Sequence, residues 1–457
     1  MKIIVCGAGQ VGHQIVRHLS NEGNSVTVID HNPALVRQMT DELDVSGVSG
    51  FASRPDVLAR AGARDADMLI AATSMDEVNM VACQVAHSVF DVTTKIARIR
   101  TESYLEAEWS DLFRRDHMPI DVVISPEAEV ARVALRRLAT TACFDIEPFL
   151  DGKVDLGGIR LDDACPVQNT PLRQLSELFS TLRAVVVGIR RDGKLFSANA
   201  DDQVFAGDEI YFITAHEDLD RTVGIFGKEN QRADRAVIIG AGNVGLKVAQ
   251  EIEKRQGMRA KIIELDRARA EYSADLLQRT IVLHGNALKS ELLAEAGVEN
   301  ADAIVALTDD ARTNLLSCAL AKETGTKIAV ALSNDSVFER VAGSIGIDAL
   351  INPRSTTVSS ILRHVRKGRI KSVYSIGAGE AEVIEAQVMA TSPIAGKQIR
   401  DIKFPSGSII GAILADGQLL MPKGDTVVRV GNVLVVFAEA AAVRGVEQLF
   451  RVSMEFF

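Results

Sequence analysis

Six residues, Gly7-Ala8-Gly9-Gln10-Val11-Gly12, recur as Gly240-Ala241-Gly242-Asn243-Val244-Gly245, each set following a short apolar run and preceding a segment of helical periodicity. Glycine at these three positions suits phosphate binding. The first permits a tight strand-to-helix turn, the second lets backbone approach a pyrophosphate, and the third lets the helix pack close to the strand. The anion then meets unpaired N–H groups and the positive end of a helix dipole, and no lysine is required. An acid ends the next apolar run in each copy: Asp30, 18 residues beyond Gly12, and Glu264. A carboxylate near this spacing suits ribose hydroxyls and repels a 2′-phosphate, which favours NAD(H). One such motif is weak evidence; two in the same context are strong.

Other chemistry finds little footing. The five cysteines, Cys6, Cys83, Cys143, Cys165 and Cys318, are scattered without a C-x-x-C pair, and the eight histidines have no metal-ligand spacing. No catalytic residue and no metal site are expected, and neither a P-loop nor a G-x-S-x-G nucleophile motif occurs. The alternative from another class is an NAD-dependent oxidoreductase with two Rossmann domains, but no compact acid/base set accompanies the glycines.

The elements that must hold these residues are also duplicated. Positions 61 and 296, and 73 and 308, are both 235 apart, within blocks Arg60–Thr73 and Glu295–Thr308 that each end a fourth strand. The next helices align Asn79 with Asn314 and Cys83 with Cys318. A fifth strand (95–99 and 327–331) and a sixth (120–124 and 347–351) lead to Pro126 and Pro353, which mark helix starts. Between and after the copies come short alternating runs, 184–190 before Asp192-Gly193 and 407–414 before Asp416-Gly417, with a last strand at 207–213 and 431–437. Asp-Gly reads as a hairpin turn.

The fold class is therefore α/β, with two doubly wound parallel, Rossmann-like sheets, each followed by a small β-rich α+β domain. The expected domains are 1–140, 141–227, 233–368 and 372–457. The 457 residues, 47% hydrophobic and 25% charged, fit a globular chain of several domains. A net charge of −10 argues against nucleic acid, and no apolar run is long enough for a membrane span. With a strand at residue 2, no signal peptide is expected and the location is cytoplasmic.

The paired GAG-x-VG motifs, the paired A-G-x-x-x-A-D blocks and the A-B-A-B order resemble the TrkA family, built from two TrkA-N (RCK N-terminal) and two TrkA-C (RCK C-terminal) domains, over essentially the whole chain. The resemblance implies a regulatory subunit that binds NAD(H), with ATP or ADP as further candidates. It implies a homotetrameric ring, peripheral on the cytoplasmic face of the inner membrane, without insertion, gating a potassium-translocating subunit of TrkH or TrkG type.

The family pattern falls on Gly7, Ala8, Gly9, Gln10, Val11 and Gly12 for the pyrophosphate, Asp30 for the ribose, and Thr73, Ser74 and Arg98 beyond the fourth and fifth strands. In the second copy it falls on Gly240, Ala241, Gly242, Asn243, Val244, Gly245, Glu264 and Thr308. Aligning Lys95-Ile96-Ala97 with Lys327-Ile328-Ala329 puts Val330 opposite Arg98, so the second site is expected to be weaker or to prefer another adenine nucleotide. The basic run 363–371 is expected to close the helix begun at Pro353. The α/β copies are expected to pair through sheet edges and crossover helices.

Overall fold

Valine- and isoleucine-rich runs become parallel strands wherever helices cover both of their faces. In this computed structural model, which describes residues 1–450 apart from 22, 366–369 and 378, and not the side chains of 107, 110, 336, 339 and 340, they do so twice. The first copy comprises β1 (Lys2–Cys6), α1 (Gln10–Asn21), β2 (Ser25–Asp30), α2 (Pro33–Glu42), β3 (Ser46–Ser49), α3 (Pro55–Arg60), β4 (Met68–Ala71), α4 (Asp76–Phe90), β5 (Thr94–Arg98), β6 (Val122–Ile124) and α5 (Pro126–Ala139). The first small module follows: β7 (Asp145–Phe149), β8 (Val154–Arg160), α6 (Leu172–Leu178), β9 (Ala184–Arg191), β10 (Lys194–Ser197), β11 (Glu209–Ala215) and α7 (Leu219–Ile225). The second copy is β12 (Arg235–Ile239), α8 (Asn243–Glu253), β13 (Arg259–Glu264), α9 (Arg267–Leu276), β14 (Ile281–His284), α10 (Ser290–Ala296), β15 (Ala303–Ala306), α11 (Ala311–Glu323), β16 (Ile328–Leu332), α12 (Ser336–Val341), β17 (Ala349–Ile351) and α13 (Pro353–Val365). The second small module holds β18 (Ile370–Ile376), β19 (Ala381–Gln387), β20 (Ser408–Ala415), β21 (Gln418–Leu420), β22 (Val433–Glu439) and α14 (Val443–Leu449).

Contacts divide the chain into two compact units. The first contains residues 1–132, 242–247 and 351–365. Its six strands run in the order β3-β2-β1-β4-β5-β6, with Val5 between Val28 and Ile70. One face is closed by α3 and α4, through Leu58, Met80, Cys83 and Ala86. The other face takes Ile15, Val16 and Leu19 of α1, together with Val358, Ile361, Leu362 and Val365 of α13. The last four share one helical face. A helix that follows the last strand of the second copy thus completes the core beneath the first; it is a terminal helix and not one of the crossover helices through which pairing was expected.

The second unit holds residues 133–241, 248–350 and 366–457. Its parallel sheet repeats the order, β14-β13-β12-β15-β16-β17. Its two antiparallel sheets, β10-β9-β11-β8-β7 and β18-β19-β22-β20-β21, correspond strand for strand. They share an apolar layer of Phe149, Leu156, Tyr211 and Ile213 against Val383, Ala412, Val435 and Phe437. Polar ties frame it: Leu150 N–H donates to Glu385 at 2.9 Å, and the Tyr374 hydroxyl to Asp145 at 2.7 Å. Both Asp-Gly pairs form the expected hairpins, Asp192 and Gly193 having φ of 52° and 76°, Asp416 and Gly417 49° and 80°. The basic run ends α13 with Arg363 and His364; Arg366, Lys367, Gly368 and Arg369 lie outside the described residues.

Candidate nucleotide site

At the C-terminal edge of the first sheet, β1 turns into α1 through Gly7, whose φ of 110° excludes most side chains. A Cβ on Gly12 would lie 1.8 Å from the Gly7 carbonyl oxygen, so the third glycine closes the loop on itself. Gly9 differs, because a Cβ there would meet no protein atom within 4 Å. Its carbonyl accepts from the His13 N–H at 2.8 Å, which makes it the N-cap of α1. Gln10, Val11 and Gly12 supply the first-turn N–H groups.

Asp30 ends β2 one-tenth exposed. Its Oδ2 accepts from the Ala8 N–H at 2.7 Å and its Oδ1 from Asn32 N–H at 2.8 Å. Asn32, not Asp30, caps α2. The acid therefore clamps the glycine loop. Beside it His31 stacks on Phe51, with centroids 5.5 Å apart, and the Arg54 guanidinium lies 5.2 Å from the centre of that ring. Sequence reasoning passed over this set. An exposed phenylalanine directly after Gly50 was the available signal.

Thr73, Ser74 and Arg98 lie at the ends of β4 and β5. The fully buried Asn79 joins them: its Oδ1 accepts from the Thr73 N–H at 2.9 Å and hydroxyl at 2.7 Å, and its Nδ2 donates to the Arg98 carbonyl at 2.8 Å. Ser74 is exposed in the same turn. The Arg98 Nε is buried without a hydrogen-bond partner, and burial, then the neighbouring Arg100 charge, holds its pKa below the ordinary arginine value. Arg100 Nε donates to Glu127 Oε1 at 3.1 Å, while Glu127 Oε2 is buried and unpartnered. Asp76 accepts from the N–H groups of Arg100 and Thr101 at 3.0 and 2.8 Å and fixes the backbone beyond β5. Ligands of doubly wound sheets bind at this edge.

The second copy repeats the frame. Gly240 has φ of 94°, Glu264 Oε2 accepts from Ala241 N–H at 2.6 Å and Oε1 from Asp266 N–H at 2.8 Å. Gly242 precedes α8, which opens with Asn243, Val244 and Gly245. Thr308 donates to Asn314 through N–H and hydroxyl, at 2.9 and 2.6 Å. One alignment needs correction. Asn314 Nδ2 donates to the carbonyl of Leu332 at 2.9 Å, as Asn79 does to Arg98, so the residue opposite the arginine is Leu332 and not Val330. Strand register agrees: Met68 faces Thr94 where Ala303 faces Ile328, and Lys95 N–H donates to Asp121 where Ala329 N–H donates to Asp348. From Asn314 to the start of β16 the chain is one residue shorter than from Asn79 to the start of β5, and the repeated Lys-Ile-Ala string disguised the slip. Val330 is wholly buried mid-strand. The second copy lacks the guanidinium either way, and it also has Leu265, Asn286 and Lys289 where the first has His31, Phe51 and Arg54.

Among the described residues no group of histidine, cysteine or acidic side chains could hold a metal, and no helix is long and apolar enough to cross a membrane. The TrkA-N domain family, a nucleotide-binding Rossmann fold, matches residues 3–126 and 236–353, and the TrkA-C domain family 156–227 and 383–451. The chain is 50% identical over 458 residues to the Trk system potassium uptake protein TrkA of Azorhizobium caulinodans, covering 100% of both. It is 37% identical over 461 residues to that of Halomonas elongata, again with 100% of each covered. Among solved structures it resembles the GsuK RCK domain, with TM-score 0.58 and 18% identity over 98% of this chain and 94% of that one. It also resembles the GsuK channel bound to NAD, with TM-score 0.59 and 17% identity over 98% and 78%.

Proposed function

This chain belongs to the TrkA family of potassium uptake proteins, and from that membership we propose that it senses NAD(H) or a related adenine nucleotide and gates a potassium-translocating membrane subunit. Its relatives are potassium uptake proteins and not enzymes, so the oxidoreductase alternative falls away. The observation that carries the nucleotide reading is the glycine loop at this sheet edge, clamped by Asp30 and open at Gly9, with Arg98 ending β5 at the same edge. A guanidinium at this edge gives charge-assisted hydrogen bonds to an anionic diphosphate. The residues fit that group: Gly9 leaves room for it, the first turn of α1 offers N–H donors, and Asp30 retains acceptor capacity for ribose hydroxyls. With Leu332 opposite Arg98, the second site binds more weakly or prefers another nucleotide.

Gating requires different affinities in two states, since equally tight binding to both shifts nothing. A tenfold preference contributes about 1.4 kcal/mol per site; four equivalent sites in a ring reach about 5.5 kcal/mol, enough to carry a gate from about 1:99 to 99:1. In this reading the protein works at the cytoplasmic face of the inner membrane, in a homotetrameric ring against a TrkH- or TrkG-type subunit. Calorimetry of NADH, NAD and ATP against Asp30→Ala and Glu264→Ala tests the sites, each variant weakening one of them. Unchanged NADH binding in both variants would end the assignment. Potassium flux through vesicles holding the membrane subunit, with and without this protein and nucleotide, tests the gating; identical flux in every condition would end that part.

A further inference from the structure

On the second parallel sheet the glycine loop follows β12, whereas Asp302, Lys327 and Asp348 stand directly before β15, β16 and β17, at the opposite ends of the strands. At about 3.3 Å per residue, the two edges lie roughly 15 Å apart. A cavity of about 500 Å³ opens at that far edge. Its other walls are Arg160, which ends β8, Asp162 beyond it, and Lys228, Gln231 and Arg232 of the segment that joins the first small module to β12. Doubly wound sheets bind nucleotides at the C-terminal edge, so this cavity is separate from the glycine loop.

Both signs of charge line the cavity, and the duplication tells them apart. Asp302 accepts from the N–H groups of Asp234 and Arg235 at 3.2 and 3.0 Å, as Asp67 accepts from Lys2 at 2.8 Å. Asp348 accepts from Ala329 N–H at 2.7 Å, as Asp121 accepts from Lys95 N–H at 2.6 Å. These acids hold strand ends in both copies. Asp162 is engaged by Lys228 and the Ala164 N–H, and Glu229 by the Gln231 amide. The cations are not repeated: strand register sets Lys327 opposite Thr93, and Arg160 opposite Gln387 of β19. Their donors are also under-used. Lys327 reaches Asp302 and Gln231 at 3.5 and 3.4 Å, longer than a usual charged hydrogen bond, and Arg232 donates to the Gln256 carbonyl at 3.3 Å. Arg160 donates through one Nη to Glu209 at 2.6 Å, and its other Nη would lie 2.5 Å from a Cβ on Gly343, so its head reaches the second copy's own backbone. The side chains of Arg160 and Lys327 are 50% and 63% exposed, open to a solute. We infer that this cavity is an anion site, in which Arg160, Arg232 and Lys327 take the phosphate of a small phosphate monoester. The volume exceeds what a phosphate group fills, and Phe144, Leu161 and Ile328 give the remainder an apolar lining for the organic part.

The test uses the full-length chain and glycerol 3-phosphate as the probe, titrated by calorimetry against a chloride control of equal ionic strength. Acetylation of lysines, followed by mass spectrometry on the wild-type protein, locates the probe without any variant. Glycerol 3-phosphate should slow modification of Lys327 at least about tenfold and leave Lys254 on α8, 68% exposed, unchanged. The double variant Arg232→Gln, Lys327→Gln should bind the probe at least about tenfold more weakly, the worth of one charged hydrogen bond, while NADH binding stays as in wild type and thermal melting confirms the fold. No binding by the wild-type protein overturns the inference. So does binding that leaves Lys327 unprotected, protection that chloride reproduces, or a folded double variant within about twofold of wild type. Loss of NADH binding together with probe binding in that variant would mean one shared site and would overturn it as well.

Discussion

Alanine at Gly9 and alanine at Gly12 should fail in opposite ways. A Cβ on Gly12 would lie 1.8 Å from a carbonyl oxygen, about half of a normal contact, so the β1–α1 turn must open and the protein should lose several kcal/mol of stability or fail to fold. At Gly9 nothing stands within 4 Å. The protein's own cost there is the poorer N-cap, about 0.5–1 kcal/mol, or a melting shift of roughly 2–4 °C. Binding is another matter. A methyl group at that point displaces the diphosphate from the helix N-terminus and removes one or two charged hydrogen bonds, each worth about 1.5–3 kcal/mol, so NADH affinity should fall at least about tenfold to a hundredfold. Melting curves and calorimetry on the same preparations, both carrying Glu264→Ala, separate the effects. Gly9→Ala protein that is stable and binds NADH within about twofold of its parent would refute the claim that this glycine exists for the ligand; loss of fold comparable to Gly12→Ala would refute the steric account.

Burial raises the Glu385 carboxyl above its ordinary range, with the Leu150 N–H and Lys371 pulling partly against it. Such a group favours the fold while protonated, and that contribution disappears as pH rises through the raised value. Glu385→Gln keeps an acceptor for Leu150 and cannot ionise, so its melting temperature should match wild type near about pH 4 and exceed it increasingly toward neutrality; a pH-independent difference contradicts this. A Cβ at Gly157 would lie 2.3 Å from the buried Phe212 ring, and Gly157→Ala should cost about 1–3 kcal/mol in urea unfolding, whereas an unchanged midpoint would mean the sheets adjust freely. Burial pushes the thiols of Cys6, Cys143 and Cys318 up to about 12, and all five cysteines are buried. Iodoacetamide at about pH 8 should label none of them until denaturant is added, and rapid labelling of Cys6 in the folded protein would overturn that account of its core.

The parallel sheets were legible because their signals are local and occur twice: apolar runs, glycine turns, acids at strand ends. The small modules were half legible. Strands β9 and β20 announced themselves by alternation and Asp-Gly turns, but β8 carries Gly157 and Gly158 in mid-strand and β7 carries Pro148, which read as breakers. Phe212 and Phe144 fill the space above those glycines, a tertiary fact with no trace in the neighbouring residues. Leu332 was missed because a three-residue identity outweighed a one-residue change in the length from helix to strand, which only hydrogen-bond register reveals. Phe51 was missed for another reason: its place directly after Gly50 was visible, but its exposure, which gives it significance, is not encoded in spacing.

The place of α13 bears on how such a chain can be cut. Four of its apolar side chains complete the first unit's core, each worth about 1.5–3 kcal/mol when buried, together comparable to the whole stability of a small domain. The duplicated gene therefore does not encode two separable halves. A fragment ending before residue 353 would display an open apolar seam beside α1 and β6 and would need that helix supplied in trans. Within one chain this contact is fixed by covalent linkage and does not depend on protein concentration.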